Sequence, residues 1–204
     1  MSQADLNALI VANIADLDAA AYHLDNRLQY EVGEALNDVA AKRIGELGWE
    51  GLADWNDDAI WAAPKEWLKA EGSPGDEYNC QFSFDSSDSV DGEADYFWLT
   101  QLVGKGQAKL GFRWSRNDVS KARWRKAVSQ HTDLIADIRA LGFVYGEKDG
   151  SFFLPVVIEP TQLSAALAEE SPEQALGQPL AGAFSVLDRS KVLFDSLLER
   201  TILE

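Results

Sequence analysis

Cysteine and histidine are scarce in this chain of 204 residues, which contains one cysteine and two histidines. The single cysteine, Cys80, excludes a disulfide within the chain and a thiolate-rich zinc site. His23 and His131 lie far apart in the sequence and match no zinc-binding spacing. We therefore expect no metal site and no other cofactor.

Long apolar runs are also missing. No stretch of about 18 uncharged apolar residues occurs, so the sequence predicts no membrane span. The first residues, MSQADLNALI, lack the basic and then apolar pattern of a secretion signal. Together with a composition that is 46% hydrophobic and 25% charged, these features favour a folded cytoplasmic protein.

Basic residues are few and unevenly distributed. The chain contains 18 Lys and Arg against 34 Asp and Glu, a net charge of −16. Residues 1–95 carry most of the acidic excess, whereas residues 96–132 are strongly basic and contain one acid, Asp118. Because so negative a chain repels other polyanions at long range, we expect no direct binding to duplex nucleic acid and no membrane binding.

The N-terminal segment, residues 1–47, is predicted to be helical. Ser2 and Asp5 have the spacing of a capping box. Apolar residues then recur at intervals of three and four, which is typical of a helix that packs on another helix. An unbroken helix would be about 67 Å long, so we expect a hairpin or a kinked helix, with Gly33 as the candidate break. The apolar stripe consists of Leu6, Ile10, Ile14, Leu17, Ala21, Leu24 and Leu28.

Residues 48–204 are predicted to form an α+β domain that makes one unit with the N-terminal helices. Residues 78–85 alternate between apolar and polar, as in a half-buried strand. Residues 104–106 predict a hairpin turn between strands at 96–103 and 107–114. A central helix over 119–141, capped by Asn117 or Asp118, precedes a second hairpin that turns at Asp149 and Gly150, and then C-terminal helices. This order favours an antiparallel sheet of about four to five strands in an α+β fold.

The acidic excess of the first half predicts a surface that engages a basic protein partner. Opposite charge speeds the encounter of two proteins, and buried aromatic residues then hold the complex. A solvated face that only keeps the protein soluble is the open alternative. The candidate partner-binding residues are Asp16, Asp18, Asp25, Glu31, Glu34, Asp38, Asp57 and Asp58.

The sequence contains no nucleophile elbow and no phosphate-binding P-loop. This absence favours a non-enzymatic acidic binding or inhibitor protein. Examples are an immunity protein against a nucleic-acid-degrading toxin, or an anti-defence protein that imitates DNA. A subunit that assembles through the Leu6 to Leu28 stripe, with itself or with another helix, is a further hypothesis.

An enzyme remains an alternative because Asp95, Gln107 and Lys109 loosely resemble the PD-(D/E)XK nuclease signature. In that signature an acid and an acid-x-Lys pair bind Mg²⁺ and activate water. The expected hairpin would pair Lys109 with Gln101 and hold Asp95 about 20 Å away along the strand. Gln107 also replaces a charged ligand. The divergent nuclease is therefore the weaker hypothesis.

The basic segment predicts either internal ion pairs or an anion site. Cations in the first turns of a helix are disfavoured by about 0.3–1 kcal/mol each, so a compensating negative charge is expected nearby. That charge comes either from the acidic half of the same fold or from an anionic ligand or acidic partner. The candidate anion-binding residues are Arg113, Arg116, Lys121 and Arg125.

Overall fold

A computed structural model describes residues 2–67, 79–87, 95–116 and 119–201. It confirms the α+β class, with one antiparallel sheet in the order β1-β2-β3-β4-β6-β5. The sheet has six strands, more than the four to five predicted. The strands are β1 (Glu50–Ala53), β2 (Ile60–Ala63), β3 (Cys80–Ser86), β4 (Leu110–Arg116), β5 (Val144–Tyr145) and β6 (Phe152–Pro155).

Helices precede, interrupt and follow the sheet. A π-helical turn joins α2 to α3, and a 3₁₀ turn follows β2 at Lys65–Trp67. Among the described residues no helix combines the length and the apolarity that a membrane crossing needs. The helices are α1 (Gln3–Ala12), α2 (Ile14–His23), α3 (Gln29–Leu47), α4 (Trp98–Leu102), α5 (Lys121–Val128), α6 (Thr132–Ala140), α7 (Pro160–Ala168) and α8 (Pro172–Arg200).

The N-terminal helices follow one another without a hairpin. The predicted capping box is present: Asp5 N–H donates to Ser2 Oγ at 3.2 Å and Ser2 N–H donates to Asp5 Oδ2 at 3.0 Å. The chain bends at Asn13, which has φ −120° and separates α1 from α2. The π-helical turn Leu24–Leu28 then leads into α3. The expectation of a kinked helix is therefore confirmed.

The predicted break at Gly33 is wrong, because Gly33 lies buried inside α3. The turn between β1 and β2 packs closely on this position, and a Cβ there would lie 2.1 Å from Asn56 Oδ1. Asn56 Nδ2 donates to Tyr30 O at 3.2 Å and to Glu34 Oε1 at 2.8 Å. Gly33 thus permits close packing of α3 on the turn and does not end the helix.

The hairpin predicted from residues 96–114 is also wrong. Residues Trp98–Leu102 form helix α4, whose Leu99 and Leu102 are buried in the core. Gly104, with φ +66°, follows the helix, and its N–H donates to Gln101 O at 3.0 Å. The glycine-containing triplet therefore ends a helix and does not turn a hairpin.

The strand predicted at 107–114 forms as β4 from Leu110 onward, but it pairs with β3 and β6. Phe112 lies opposite Phe84 and Trp114 opposite Phe82. The predicted strand at 78–85 is confirmed over Cys80–Ser86, with Cys80, Phe82 and Phe84 buried.

The predicted central helix is divided into α5 and α6 by residues 129–131. Ser120 caps α5, because its Oγ accepts the Arg123 N–H at 3.4 Å. The caps expected from Asn117 and Asp118 lie outside the described residues. Both helices pack on the core, since Trp124 and Val128 of α5 and Ile135 and Ile138 of α6 are buried.

The C-terminal elements follow the sequence prediction closely. β5 and β6 form the second hairpin, and helices begin at Pro160 and Pro172. Pro179 does not interrupt α8, which continues to Arg200. Leu176, Leu180 and Phe184 are buried around this proline, so tertiary packing compensates for its missing N–H.

An aromatic core joins α8 to one face of the sheet. Trp114 is fully buried and stacks on Phe194 of α8, with ring centroids 4.5 Å apart. Phe194 also contacts Phe82 and Phe152. Since side chains alternate along a strand, Arg113 and Ser115 lie on the opposite face of β4. The candidate cleft described below is on that face.

Gly111 supplies a stability test of the β4–β6 pairing. A Cβ at Gly111 would lie 2.2 Å from Leu154 O, a backbone atom that no side-chain rotation can move away. We expect Gly111→Ala to lower the free energy of unfolding by about 1–3 kcal/mol, measured by urea denaturation.

Gly177 provides the matched control, because it lies in α8 with nothing within 4 Å of its added Cβ. Gly177→Ala is expected to stabilise the protein by about 0.5–1 kcal/mol through helix propensity. Equal effects of the two substitutions would contradict the close β4–β6 approach.

Candidate functional site

The first part of the candidate site is a helical arm, defined as residues 3–28. None of the residues in α1, α2 or the π-helical turn is buried. The main contacts of α1 and α2 are with each other and with that turn. The stripe predicted to pack on another helix therefore lacks a covering helix among the described residues.

The arm exposes large apolar side chains. Ile14 is 58% exposed, Leu17 46% and Tyr22 66%. Leu24 and Leu28, at the base of the stripe, are partly buried and pack against the core. Contiguous exposed apolar surface of this kind is typical of an interaction site, whereas single exposed residues are not.

Carboxylates surround the arm and continue onto the body of the protein. Asp16, Asp18 and Asp25 lie on the arm, and Asp57 and Asp58 lie in the turn that packs on α3. All eight acids predicted to bind a partner are exposed, and none forms an ion pair with a residue that the structure describes. The remaining three, on α3, are Glu31, Glu34 and Asp38.

The second part is a basic cleft with two chambers beside the β5–β6 loop. The larger chamber has a volume of about 490 Å³ and the smaller of about 160 Å³. They share Arg113, Asp149 and Ser151 as a common wall. The larger is also lined by Ser87, Lys109, Val144, Gly146, Glu147, Lys148, Phe153 and Pro155, and the smaller by Ser115, Arg116, Lys121 and Trp124.

Arg113 is held in a defined orientation in this wall. Its Nε donates to both oxygens of Asp85, at 3.2 and 3.0 Å, and its Nη2 donates to Ser86 O at 2.8 Å. Its Nη1 donates to Ser151 Oγ at 3.1 Å, and its guanidinium carbon lies 5.3 Å from the centre of the Phe153 ring. These contacts leave the side chain 19% exposed, facing the chambers.

The β5–β6 loop is a tight turn fixed to α5. Gly150 N–H donates to Gly146 O at 2.7 Å, and Gly150 O accepts from Trp124 Nε1 at 3.0 Å. Asp149 Oδ1 accepts the Ser151 N–H at 2.9 Å. Partial burial acts to raise the pKa of Asp149, but the hydrogen bonds from Ser151 and the nearby Arg113 and Lys121 hold it below its usual value. Asp149 is therefore negatively charged at neutral pH, whereas most other charged residues that line the two chambers are basic.

Three of the four predicted anion-binding residues, Arg113, Arg116 and Lys121, meet at the smaller chamber. Arg116 packs over the Trp124 ring and donates from Nη1 to Thr201 O at 3.3 Å. Arg125 lies apart: it lines a separate groove with Tyr145 and donates to Lys148 O at 3.2 Å.

Sequence reasoning missed the other half of the cleft. The sequence predicts a hairpin turn at Asp149 and Gly150, but it gives no sign that Lys148, Ser151 or Phe153 lines a cleft. The strand alternation places Arg113 on the polar face, but the register that sets Phe153 opposite it is a non-local pairing. A local pattern contains no signal for that pairing.

The structure brings Asp95, the first residue of the nuclease hypothesis, beside residues 107–109. Asp95 Oδ1 accepts the Gln107 N–H at 2.9 Å and Oδ2 accepts the Ala108 N–H at 3.1 Å. The expected separation of about 20 Å is therefore wrong, because it depended on the absent hairpin. Both carboxylate oxygens bind the backbone of the loop after α4. In the described part of the chain, no three His, Cys, Asp or Glu side chains are grouped as a metal site would require.

Comparison of the chain with models of protein families, with curated proteins and with solved structures found no match. Function is therefore inferred from the geometry alone.

Asp95 supplies a pH-dependent prediction. The Gln107 and Ala108 N–H groups hold the pKa of Asp95 below its usual value. A carboxyl with a lowered folded-state pKa stabilises the fold above its unfolded pKa, and this contribution is lost as the pH falls through the folded value. Asp95→Ala should lower the melting temperature at about pH 7, and this difference from wild type should disappear near pH 2.

Asp58→Ala is the control, since this exposed carboxylate accepts no hydrogen bond from a described residue. It should leave the melting temperature unchanged at both pH values. A deficit in Asp95→Ala that persisted at the acid pH would show that the carboxylate charge is not what holds the loop.

Proposed function

We propose that this protein is a non-enzymatic binding protein whose acidic arm docks on a basic protein partner. The observation that carries the proposal is the arm itself, a helical segment with exposed apolar residues and no buried residue. An inhibitor that masks the basic surface of its target, such as an immunity or anti-defence protein, is the particular role that we infer for it.

Apolar burial would supply much of the binding free energy. Covering a fully exposed Leu or Ile side chain contributes about 1.5–3 kcal/mol. Ile14 and Leu17 are adjacent on the stripe, and Tyr22 and Tyr30 are exposed beyond them. Tyrosines are enriched among the residues that dominate binding at protein interfaces. The arm therefore offers Ile14 and Leu17 to an apolar groove of the partner, and Tyr22 on the arm and Tyr30 at the start of α3 offer aromatic anchors.

Charge selects the kind of partner. Asp18 directly follows Leu17, and Asp25 directly follows Leu24, so carboxylates lie beside the stripe. Two copies of this arm packed together would bring like charges close to one another, which opposes association. A basic amphipathic surface would satisfy the stripe and the carboxylates together.

Enzymatic chemistry has weaker support. The Asp95 carboxylate, on which the nuclease hypothesis depends, already accepts two backbone hydrogen bonds. Among the residues that the structure describes, Asp95 belongs to no group of three His, Cys, Asp or Glu side chains that could hold a metal ion.

A designed peptide tests the arm directly. We expect a fluorescently labelled amphipathic helix of leucine and lysine to bind the protein, measured by anisotropy, while the same helix with glutamate for lysine does not. Reversing Asp16, Asp18 and Asp25 to Lys should weaken binding of the basic helix about tenfold or more, because the complementary charges beside the stripe become repulsive. Raising the ionic strength should weaken the wild-type complex.

The matched control reverses three exposed acids outside the arm, Glu169, Glu173 and Asp188, and changes the net charge equally. If both triple variants lost the same affinity, overall charge and not the arm would explain binding, and the proposal would be wrong.

Leu17→Asp tests the apolar contribution separately. The substitution should weaken the peptide complex about tenfold, because it removes a leucine that the bound peptide would cover and puts a charge in its place. Sedimentation velocity over a range of concentrations should show a monomer in both proteins. If the wild-type protein were a dimer and Leu17→Asp made it monomeric, the basic-partner proposal would be contradicted and assembly through the stripe would be supported.

A further inference from the structure

The two-chambered cleft around Arg113 has the features of a small-molecule site, and it is independent of the acidic arm. A volume of about 490 Å³ for the larger chamber falls within the range of ligand pockets, about 300–1,000 Å³. The chamber combines apolar walls from Val144, Phe153 and Pro155 with a few convergent polar groups. Such mixed lining is typical of a site that orients one organic ligand.

The charge around the cleft is opposite in sign to that of the whole protein. In a chain of net charge −16, the two chambers are lined by more cations than carboxylates. Lys109, Lys121 and Lys148 form no ion pair with any described residue. Among the described residues of the lining, five cations face two carboxylates, Glu147 and Asp149. A positive excess remains there even though Arg113 is paired with Asp85.

The smaller chamber fits an anionic group. Arg113 and Arg116 from β4 and Lys121 from α5 line it, together with the hydroxyl groups of Ser115 and Ser151. Arginine forks and hydroxyl donors are the usual partners of phosphate oxygens. Arg113 is pre-oriented by Asp85, Ser86 and Ser151, so little side-chain freedom would be lost on binding.

The larger chamber fits an apolar ring. Val144 is 59% exposed at the sheet edge, and the Phe153 ring lies beneath the Arg113 guanidinium. A planar group entering from this side would cover Val144 and Pro155 while its anion reached Arg113. Arg113, Asp149 and Ser151 line both chambers, so a ligand with its ring in one chamber and its anion in the other would lie against all three residues.

We propose that the cleft binds a small phosphomonoester that carries an aromatic ring, with the phosphate in the smaller chamber and the ring in the larger. The net charge of the protein repels long polyanions, whose many phosphates lie outside the cleft, more than it repels a compact dianion. A small molecule is therefore favoured over a nucleic-acid strand.

Isothermal titration with three probes tests the proposal: phenyl phosphate, inorganic phosphate and benzyl alcohol. Phenyl phosphate should bind about tenfold more tightly than inorganic phosphate, because the ring adds apolar burial. Benzyl alcohol, which has the ring without the anion, should bind most weakly.

Variants of exposed residues locate the binding. Lys121→Ala and Lys148→Ala should each lower the affinity for phenyl phosphate about five- to tenfold, whereas Lys105→Ala should leave that affinity unchanged. Lys105 is the matched control, because it is an exposed lysine of the same basic segment that does not line the cleft. Val144→Ser should lower the affinity for phenyl phosphate but not the affinity for inorganic phosphate.

Two results would overturn the proposal. One is the absence of saturable binding of phenyl phosphate up to about 10 mM, a concentration above which affinity becomes too weak to indicate a site. The other is tighter binding of a single-stranded oligonucleotide: if it displaced phenyl phosphate at a concentration below the Kd of phenyl phosphate, the cleft would be a site for a nucleic-acid strand. The triple reversal on the arm should leave these titrations unchanged, so failure here does not bear on the arm.

Discussion

The stacking of Trp114 on Phe194 is the interaction on which the arrangement of the molecule depends. It holds α8 against one face of the sheet, and the contacts of Phe194 with Phe82 and Phe152 extend the core across β3, β4 and β6. Because strand side chains alternate, burying Trp114 places Arg113 on the opposite face. A register shift of one residue along β4 would place Arg113 in the core and Trp114 in the cleft, so the same register fixes both positions.

The two signs of charge occupy different parts of the fold. The acidic residues of the arm and of the β1–β2 turn make no ion pairs with the basic residues of β4 and α5 among the described residues. Arg113 instead pairs with Asp85 on the neighbouring strand. Asp85 belongs to the acidic first half of the chain, so Arg113 is neutralised internally, and this pair is the one that the structure describes for the basic segment. The acidic surface keeps its charge for the solvent or for a partner.

The arm and the body of the protein are stabilised by different means. The body has a continuous apolar core, whereas the arm relies on backbone hydrogen bonds, the Ser2–Asp5 capping box and local side-chain contacts. Helices without tertiary packing are only marginally stable in water. A partner that covered the stripe would therefore stabilise the helix as well as bind it, and association would couple to order in the arm.

The α+β class, the helical N-terminus with its cap, the half-buried strand β3 and the segregation of charge could all be predicted from the amino-acid sequence. These features depend on local periodicity and on the order of residue types, which can be read within a short segment. Three features depend on the folded chain as a whole: the helix at residues 98–102, the pairing of β4 with β3 and β6, and the cleft in which Arg113 lies with Phe153, Asp149 and Lys121. Strand partners and cavities arise from contacts between residues far apart in the chain, whose free energy depends on the packing of the whole core, and no local pattern encodes them.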